Sequence, residues 1–255
     1  MTSSASTSQQ QARTQVDIVI PVLNEERALP VCIGKLTDFV AAHPEKDWAI
    51  TVADNGSTDR TQEVAAGLAE TNPSLVRITR LDQRGRGRAL KRAWLESKAD
   101  VRCYMDVDLS TDLKSLPDLV TAIADEGYDI SIGSRLLPQS EVVGRTLKRE
   151  ITSRGYSMLF RSMFFPGFRD AQCGFKAISA RAATALVPLV QDNHWFFDTE
   201  LLLIAKHSGF RIKEIPVHWE DDPDSRVKII STAWEDTRGL LRLRFGGMPE
   251  VTSHP

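Results

Sequence analysis

Two aspartates, Asp106 and Asp108, stand two residues apart directly after a short apolar run of the sequence. Carboxylates with this spacing can point toward one hard cation, and Mg²⁺ or Mn²⁺ favours carboxylate oxygens together with substrate phosphates. Such a cation bridges to a diphosphate and neutralises charge on the leaving group. The alternative is a loop that only caps a helix beginning near Leu113, for which Asp112 is the better cap.

A second acidic segment, DNGSTD at residues 54–59, also follows an apolar run. In a binding site, Asp54 would accept a hydrogen bond from a nucleobase or a ribose. The alternative is a plain turn, because Gly56 supplies a positive φ and Ser57 or Thr58 can cap the next helix. Both interpretations stay open from the sequence alone.

A cationic, glycine-rich segment, RGRGR at residues 84–88, is the third candidate. Arginines on a flexible loop could bind a diphosphate, because one guanidinium group can donate two parallel hydrogen bonds to phosphate oxygens. A solvated surface loop explains the same composition equally well.

Strand-like and helix-like segments alternate along the first half of the chain. Apolar, β-branched runs predict five strands, at residues 16–22, 48–53, 76–80, 101–107 and 128–133. Helical periodicity predicts the intervening helices, at residues 25–42, 59–69, 85–97 and 113–126. This alternation indicates an α/β fold with a mostly parallel sheet covered on both faces.

The candidate residues sit where such a sheet binds ligands. Ligands of parallel α/β sheets lie at the carboxyl ends of the strands. The first predicted strand ends in Asn24 and Glu25, the second in Asp54 and the fourth in Asp106. These loops are therefore expected to converge on one crevice.

The second half of the chain has a different pattern, and no linker is long enough to separate two domains. Residues 134–165 are interpreted as a loop and a helix, and residues 210–219 as an edge strand because Pro216 interrupts it. Further helices are predicted at 179–190, 197–208 and 230–245. The domain prediction is one domain at 16–245, a disordered tail at 1–15 and a flexible tail at 246–255.

Composition limits the class of protein and its compartment. The formal net charge of −2 over 255 residues argues against broad nucleic-acid binding. Three widely spaced cysteines, Cys32, Cys103 and Cys173, are expected to be buried thiols in a reducing cytosol. No segment approaches the roughly 18 apolar residues that cross a bilayer. A cytoplasmic location with only peripheral membrane contact is expected.

Seven motifs in this order resemble the family 2 glycosyltransferases of the GT-A fold, which has a Rossmann-like sheet: VIPVLNEE, ADNGSTD, RGRGRAL, MDVDLS, IGSR, DAQCGFK and WFFDTELL. The resemblance covers residues 16–245. Within the family, the chain is most similar to the polyprenyl (dolichyl)-phosphate glycosyltransferases, a group that includes the dolichyl-phosphate β-glucosyltransferases and the dolichol-phosphate mannosyltransferases. The segment from residue 170 to residue 219 favours the β-glucosyltransferase branch.

The resemblance implies a role for each matching residue. The residues expected to bind the donor are Pro21, Leu23, Glu25, Asp54, Arg86 and Asp106. The residues expected to grip the acceptor phosphate are Arg135, Arg149 and Ser153. The divalent cation, Mg²⁺ or Mn²⁺, is expected on Asp106 and Asp108. The residues expected to be catalytic are Asp106, Asp108, Asp198 and Glu200, although the last two also fit the polar face of a buried helix.

The chain departs from the family pattern at three positions. Asn55 replaces the commoner second aspartate, and Arg86 replaces a usual lysine. Ser110 stands where some relatives have a glutamine that helps to bind the cation. The last departure puts the ligands of the cation in doubt.

The implied activity is an inverting transfer of a hexose from a nucleotide sugar to polyprenyl phosphate. Glucose from UDP-glucose is the first expectation, and mannose from GDP-mannose the second. A family 2 transferase with a soluble saccharide acceptor, a nucleotidyltransferase and a non-catalytic sugar-nucleotide-binding module remain alternatives. A homo-oligomer also stays possible.

A lipid acceptor requires contact with a membrane surface. The segment at residues 156–168 (YSMLFRSMFFPGF) is rich in methionine and phenylalanine, and such stretches can lie in the interface. Phe164 and Phe165 are the expected lipid-binding side chains. Residues 234–245 have a similar character, but packing onto the core or a subunit contact is favoured for them.

Overall fold

The computed structural model describes residues 13–221 and 229–251 of the chain. Its strands are β1 (Gln15–Val22), β2 (Asp47–Asp54), β3 (Val76–Arg80), β4 (Val101–Met105), β5 (Ile130–Ser134), β6 (Glu141–Val143), β7 (Phe175–Ser179), β8 (Ile212–Pro216) and β9 (His218–Glu220). Its α-helices are α1 (Ala28–Ala42), α2 (Thr61–Thr71), α3 (Arg86–Glu96), α4 (Leu116–Ala124), α5 (Leu147–Phe164), α6 (Ala180–Leu186), α7 (Phe197–His207) and α8 (Ile229–Gly246).

Seven strands form one sheet in the order β3-β2-β1-β4-β7-β5-β8. All neighbouring pairs are parallel except those of β7, which runs antiparallel to both β4 and β5. The predicted mostly parallel sheet with flanking helices is therefore confirmed. Since β2, β1 and β4 are neighbours, the three loops that carry the acidic residues do meet at one edge.

Two strands do not stand out in the sequence. The run at β7 is only five residues long and contains Lys176, which looks unsuitable for a central strand. Lys176 is nevertheless fully buried, because carboxylate and carbonyl oxygens surround its ammonium group there. The second such strand, β6, pairs with β9 in a separate small sheet.

Most predicted boundaries agree with the structure within two or three residues. The helix predicted at 113–126 begins as a 3₁₀ turn, Leu113–Ser115, that Asp112 caps by accepting the N–H of Lys114 at 2.9 Å. The strand predicted at 210–219 is divided into β8 and β9, and β8 is indeed at the edge of the sheet. Residues 1–12 and 252–255 of the predicted tails lie outside the described residues.

The apolar core fills both faces of the sheet. Trp94, Phe160 and Phe197 lie in the cluster on one face, and Ile18 and Leu36 lie in the cluster on the other. The three cysteines are buried and free, as expected. Among the described residues, none of the helices combines the length and the apolar composition that a bilayer crossing requires.

Candidate active site

The loops after β1 and β2 are joined into one wall by side-chain to backbone hydrogen bonds. The carboxamide of Asn24 accepts the N–H of Thr58 at 2.8 Å, and the N–H of Glu25 donates to the hydroxyl of Thr61 at 2.7 Å. Asn24 has a φ of 58°, a conformation that asparagine tolerates better than most residues. The wall is therefore fixed by the DNGSTD segment together with the first residue of α2.

Asp54 lies at the base of this wall with an unused acceptor. The residue is 1% exposed, and its Oδ1 accepts the N–H of Ser57 at 3.0 Å. Its Oδ2 is buried and has no hydrogen-bond partner within the described parts of the chain. A buried acceptor without a partner is costly, and an N–H of a bound base would satisfy it. Val22 is the residue in register with Asp54, and Pro21 pairs with Ala53 one residue earlier.

Asn55 connects the wall to the arginine-rich segment. Its Oδ1 accepts the N–H of Gly85 at 2.6 Å, directly before Arg86. The carboxamide of Asn55 therefore holds the backbone of Gly85 in place, at a position where an aspartate is commoner. Gly85 has a φ of 152°, and a Cβ added there would lie 2.6 Å from the carbonyl oxygen of Asn193.

Arg86 lies inside the cleft rather than in solvent. Its Nη2 is 2.6 Å from Oδ1 of Asp106, and its Nη1 is 2.8 Å from Oδ2 of Asp198. The guanidinium carbon lies 5.0 Å from the ring centroids of both Tyr104 and Trp195. The side chain is 11% exposed. These contacts exclude the solvated-loop interpretation for Arg86.

Asp198 is held by three donors. Besides Arg86, the ammonium of Lys176 lies 3.0 Å from its Oδ1, and the hydroxyl of Tyr104 donates to the same oxygen. Burial opposes ionisation, but Lys176 and then Arg86 lower the pKa of Asp198 below its usual value. The carboxylate is therefore charged and fully engaged, which suits the positioning of Arg86 better than proton transfer.

Glu200 lies two residues further along α7 but faces a different set of groups. It is fully buried, and it accepts the N–H groups of Gln191 and Asp192 at 3.1 and 2.8 Å. Its Oε2 also lies 2.8 Å from Nη2 of Arg242 on α8. Glu200 thus fastens the loop that presents Trp195 to the cleft.

Asp106 and Asp108 line one small pocket, together with Gly174 and Trp219. A Cβ at position 174 would lie 1.8 Å from Oδ2 of Asp106, so only glycine leaves room for this carboxylate. Asp108 is exposed, and its Oδ1 accepts the N–H of Ser110 at 2.9 Å. Ser110 lacks the glutamine side chain that some relatives have at this position, but its backbone N–H still supports the carboxylate of Asp108.

This pair of carboxylates fits a hard divalent cation. Two oxygen ligands from the protein are typical of Mg²⁺, which takes the rest from water and substrate phosphates. Two carboxylates leave the other coordination positions of such an ion to water and to the oxygens of a bound diphosphate. Within the described residues, no group of three or more His, Cys, Asp or Glu side chains could enclose a metal ion.

Arg135, at the end of β5, forms a paired contact with Asp170. Its Nε lies 2.7 Å from Oδ2 and its Nη2 2.9 Å from Oδ1 of that carboxylate. Burial opposes the charge of Asp170, yet Arg135 lowers its pKa to about 2. The guanidinium of Arg135 also lies 4.8 Å from the ring centroid of Trp219.

Arg149 reaches the same region from the first turns of α5. Its Nη1 lies 2.6 Å from Oδ2 of Asp221, whose Oδ1 accepts the indole N–H of Trp219 at 3.4 Å. Ser153, the third residue expected to bind the acceptor, is half-buried one turn later on α5. Trp219, which lines the Asp106 and Asp108 pocket, therefore contacts Arg135 directly and reaches Arg149 through Asp221.

Comparisons with known proteins identify the family of the chain. The profile described as "Glycosyl transferase family 2" matches residues 17–186. The chain belongs to glycosyl transferase family 2. This confirms the family and the GT-A fold expected from the seven motifs.

Two relatives within family 2 show which members of the family this chain is similar to. The chain is 39% identical to Glycosyltransferase AglD of Haloferax volcanii over 86% of its own length, but it spans only 35% of the length of AglD. It is 30% identical to the dolichyl-phosphate beta-glucosyltransferase of Homo sapiens, covering 91% of this chain and 75% of the human protein.

A solved structure gives the same fold. Glucosyl-3-phosphoglycerate synthase from Mycobacterium tuberculosis, crystallised with Mn²⁺, UDP and glucosyl-3-phosphoglycerate, has a TM-score of 0.69 and 19% identity. The match covers 92% of this chain and 81% of that one. At this identity, the likeness concerns the fold.

Asp236, on the inner face of α8, is a buried carboxyl in this family 2 domain that sequence patterns do not indicate. It is 2% exposed, its Oδ2 accepts the amide of Gln172 at 2.5 Å, and its Oδ1 is without a partner in the described part of the chain. Burial raises its pKa to about 7. An unfolded aspartate has a pKa of about 3.9, so ionisation destabilises the fold progressively as the pH rises from about 4 to 7.

Asp236→Asn is therefore expected to stabilise the domain more at pH 8 than at pH 5, by on the order of 2 kcal/mol. Urea unfolding of both proteins at the two pH values measures this difference. Glu235→Gln, one residue away and exposed, is the control and should show a much smaller pH dependence. An equal gain for Asp236→Asn at both pH values would mean that the carboxyl of Asp236 does not titrate in this range.

Proposed function

We propose that this family 2 glycosyltransferase transfers a hexose, glucose from UDP-glucose, to the phosphate of a polyprenyl phosphate with inversion at the anomeric carbon. The observation that carries the proposal is the meeting of two unlike subsites at Trp219. On one side lie the paired aspartates, and on the other lie Arg135 and Arg149. GDP-mannose is the second candidate donor.

The donor side would supply groups for the base and for the diphosphate of a nucleotide sugar. The unpartnered Oδ2 of Asp54 would accept from the base, beside Pro21, Leu23 and Glu25. Arg86 would bind the diphosphate, since its guanidinium is already oriented by Asp198. A divalent cation, Mg²⁺ or Mn²⁺, held by Asp106 and Asp108 would neutralise charge on the departing diphosphate.

The acceptor side would supply position rather than a base. The second pKa of a phosphate monoester is about 6, so the acceptor is already largely ionised near neutral pH. Arg135, Arg149 and Ser153 would aim one phosphate oxygen at the anomeric carbon. As that oxygen forms its bond to carbon, the bond from carbon to the diphosphate oxygen breaks and the nucleoside diphosphate leaves. Orientation and electrostatic stabilisation then account for the rate.

The relatives support this choice of acceptor. The human relative is named for transfer to dolichyl phosphate, and proteins with the same name occur in Dictyostelium discoideum and Saccharomyces cerevisiae. The contacts of Trp219 with the aspartate pocket and with Arg135 support the same choice. A cytoplasmic location at the membrane surface fits a soluble donor and a lipid acceptor.

One face of α5 is the proposed contact with the lipid surface. Its exposed apolar side chains recur at helical spacing, namely Leu147, Ile151, Met158 and, at the end of the helix, Phe165. Phe165 is 83% exposed. Phe164, by contrast, packs against the core, so only one of the two phenylalanines expected to bind lipid has the exposure for it.

The double variant Ile151→Asp with Phe165→Asp is expected to abolish co-sedimentation with liposomes. The unmodified protein gains free energy by burying these two apolar side chains in lipid, whereas the variant would have to remove two carboxylates from water. Val31→Asp, on the exposed face of α1, is the matched control and should sediment like the unmodified protein. Unchanged sedimentation of the double variant would remove α5 from the membrane contact.

The function is tested by a donor and acceptor screen with purified protein. UDP-glucose or GDP-mannose, Mg²⁺ or Mn²⁺ and a short-chain polyprenyl phosphate should give a lipid-linked hexose and free nucleoside diphosphate. Release of pyrophosphate instead would indicate a nucleotidyltransferase, and transfer to a water-soluble acceptor without lipid phosphate would indicate a saccharide acceptor. If Asp108→Ala spares the biological role of the protein, a non-catalytic binding module is the better interpretation.

A further inference from the structure

A third arginine, Arg145, lies between β6 and α5 and has no part in the function proposed above. Its side chain is 9% exposed, and its Nη1 lies 3.1 Å from Oε2 of Glu150. Its Nε is buried and has no hydrogen-bond partner among the residues that the structure describes. A buried, charged donor without a partner is costly, and a ligand that supplies the missing acceptor removes that cost.

Arg145 belongs to the same cluster as the two arginines of the acceptor side. The N–H of Asp221 donates to the carbonyl of Val143 at 3.0 Å, which brings the partner of Arg149 against the segment that carries Arg145. Burial and then the positive charge of Arg135 lower the pKa of Arg145. The two guanidinium groups therefore lie close enough to repel each other, and the carboxylates of Glu150, Asp170 and Asp221 offset part of that repulsion.

The three arginines approach from three different elements. Arg135 follows β5, Arg149 lies on the first turns of α5, and Arg145 stands just before that helix. A phosphate monoester carries three strong acceptor oxygens. A phosphodiester has only two such oxygens and one negative charge. Three separate donors thus match the monoester better than the diester.

We propose that Arg145 is a third ligand of the acceptor phosphate and selects a monoester over a diester. Its Nε–H donates to one phosphate oxygen while Arg135 and Arg149 hold the others. The inference rests on the proposed function for the identity of the acceptor. It explains how the cleft distinguishes a lipid phosphate monoester from the phosphodiester headgroups that surround it in a membrane.

Calorimetric titration of the full chain with geranyl phosphate, a soluble monoester, tests the proposal without any transfer reaction. Arg145→Met is expected to weaken binding of geranyl phosphate by about ten- to a hundredfold, the effect of one hydrogen bond to a charged group. Binding of geranyl methyl phosphate, the matching diester, should change much less. Inorganic phosphate in a third titration shows whether the prenyl chain contributes, and titration with UDP should be unaffected.

Two further variants separate binding from a structural role. Arg145→Lys keeps the charge but loses the Nε–H, so an intermediate loss is expected. Glu150→Gln removes the carboxylate partner of Arg145 and leaves the guanidinium in place, so monoester binding should be retained or improved. Equal weakening by Glu150→Gln and Arg145→Met, or monoester binding by Arg145→Met as tight as in the unmodified protein, would overturn the proposal.

The outcome is distinguishable from failure of the proposed function. If the unmodified protein binds geranyl phosphate through Arg145 but forms no lipid-linked hexose from any nucleotide sugar, the proposed transfer is wrong and the monoester site stands. If hexose transfer is observed and Arg145→Met has an unchanged KM for polyprenyl phosphate, only the role of Arg145 is wrong.

Discussion

Asp106→Asn is expected to lower the rate of hexose transfer by roughly a thousandfold while the domain stays folded. Loss of several kcal/mol of charge stabilisation has this effect on a rate. The amide preserves the shape of the side chain beside Gly174, but it no longer balances the charge of Arg86 or offers a charged ligand to a cation. Transfer from UDP-glucose is measured at saturating donor, and thermal unfolding checks the fold.

Asp112→Asn is the matched control for this prediction. Asp112 lies in the same loop, where it caps the 3₁₀ turn that begins at Leu113. Its variant should retain transfer within a few-fold of the unmodified protein. A rate for Asp106→Asn within tenfold of the unmodified protein would show that Asp106 has no central part in the reaction.

Arg135→Ala is expected to have the largest effect on stability, about 3–5 kcal/mol, because it leaves the buried carboxylate of Asp170 without its counter-charge. The sign follows from the pKa of Asp170, which Arg135 helps to hold at about 2. The ionised carboxylate of Asp170, paired with Arg135, stabilises the fold fully above a pH of about 4. This stabilisation is lost as the pH falls toward 2, because Asp170 becomes protonated. Urea unfolding at pH 7 measures the loss, and acceptor KM measures the loss of binding.

The double variant Arg135→Ala with Asp170→Ala separates these two effects. Removal of both partners removes the buried uncompensated charge, so part of the stability should return. The acceptor KM should remain as high as in the single variant, because the guanidinium is still absent. Equal urea midpoints for the single and double variants would mean that Asp170 is not the source of the destabilisation.

The proposed donor half of the site is accessible from the sequence because its arrangement depends on local rules. Strands at regular intervals predict a parallel sheet, and the carboxyl ends of its neighbouring strands bring Asp54 and Asp106 to one edge. The family motif leads us to expect Arg86 near the diphosphate. Its contacts with Asp106 and Asp198 show how its position is fixed.

The remaining groups depend on pairings between distant parts of the chain. Arg86 and Asp198 are 112 residues apart in sequence, and Tyr104 and Asp198 are 94 residues apart. Sequence patterns miss Lys176 because the strand that buries it runs antiparallel between two other strands. Sequence patterns indicate Trp219 only as the end of a strand, because no neighbouring residue in the sequence shows that its ring contacts the guanidinium of Arg135.

Glu200 and Asp198 belong to one helix, α7, but face different groups. The spacing of Glu200 from Asp198 suggests a shared role, since both lie in one acidic motif. Two residues of helix turn a side chain by about 200°, because a turn contains about 3.6 residues. Asp198 therefore faces Arg86, whereas Glu200 faces the backbone of residues 191 and 192 and the guanidinium of Arg242.

An anomalous difference map from crystals grown with Mn²⁺ and UDP tests most directly whether the paired aspartates form the donor centre. One manganese peak is expected in contact with the carboxylates of Asp106 and Asp108, with the diphosphate of UDP beside Arg86 and the base at Asp54. UDP bound in another part of the molecule, or a manganese peak remote from both aspartates, would contradict this expectation.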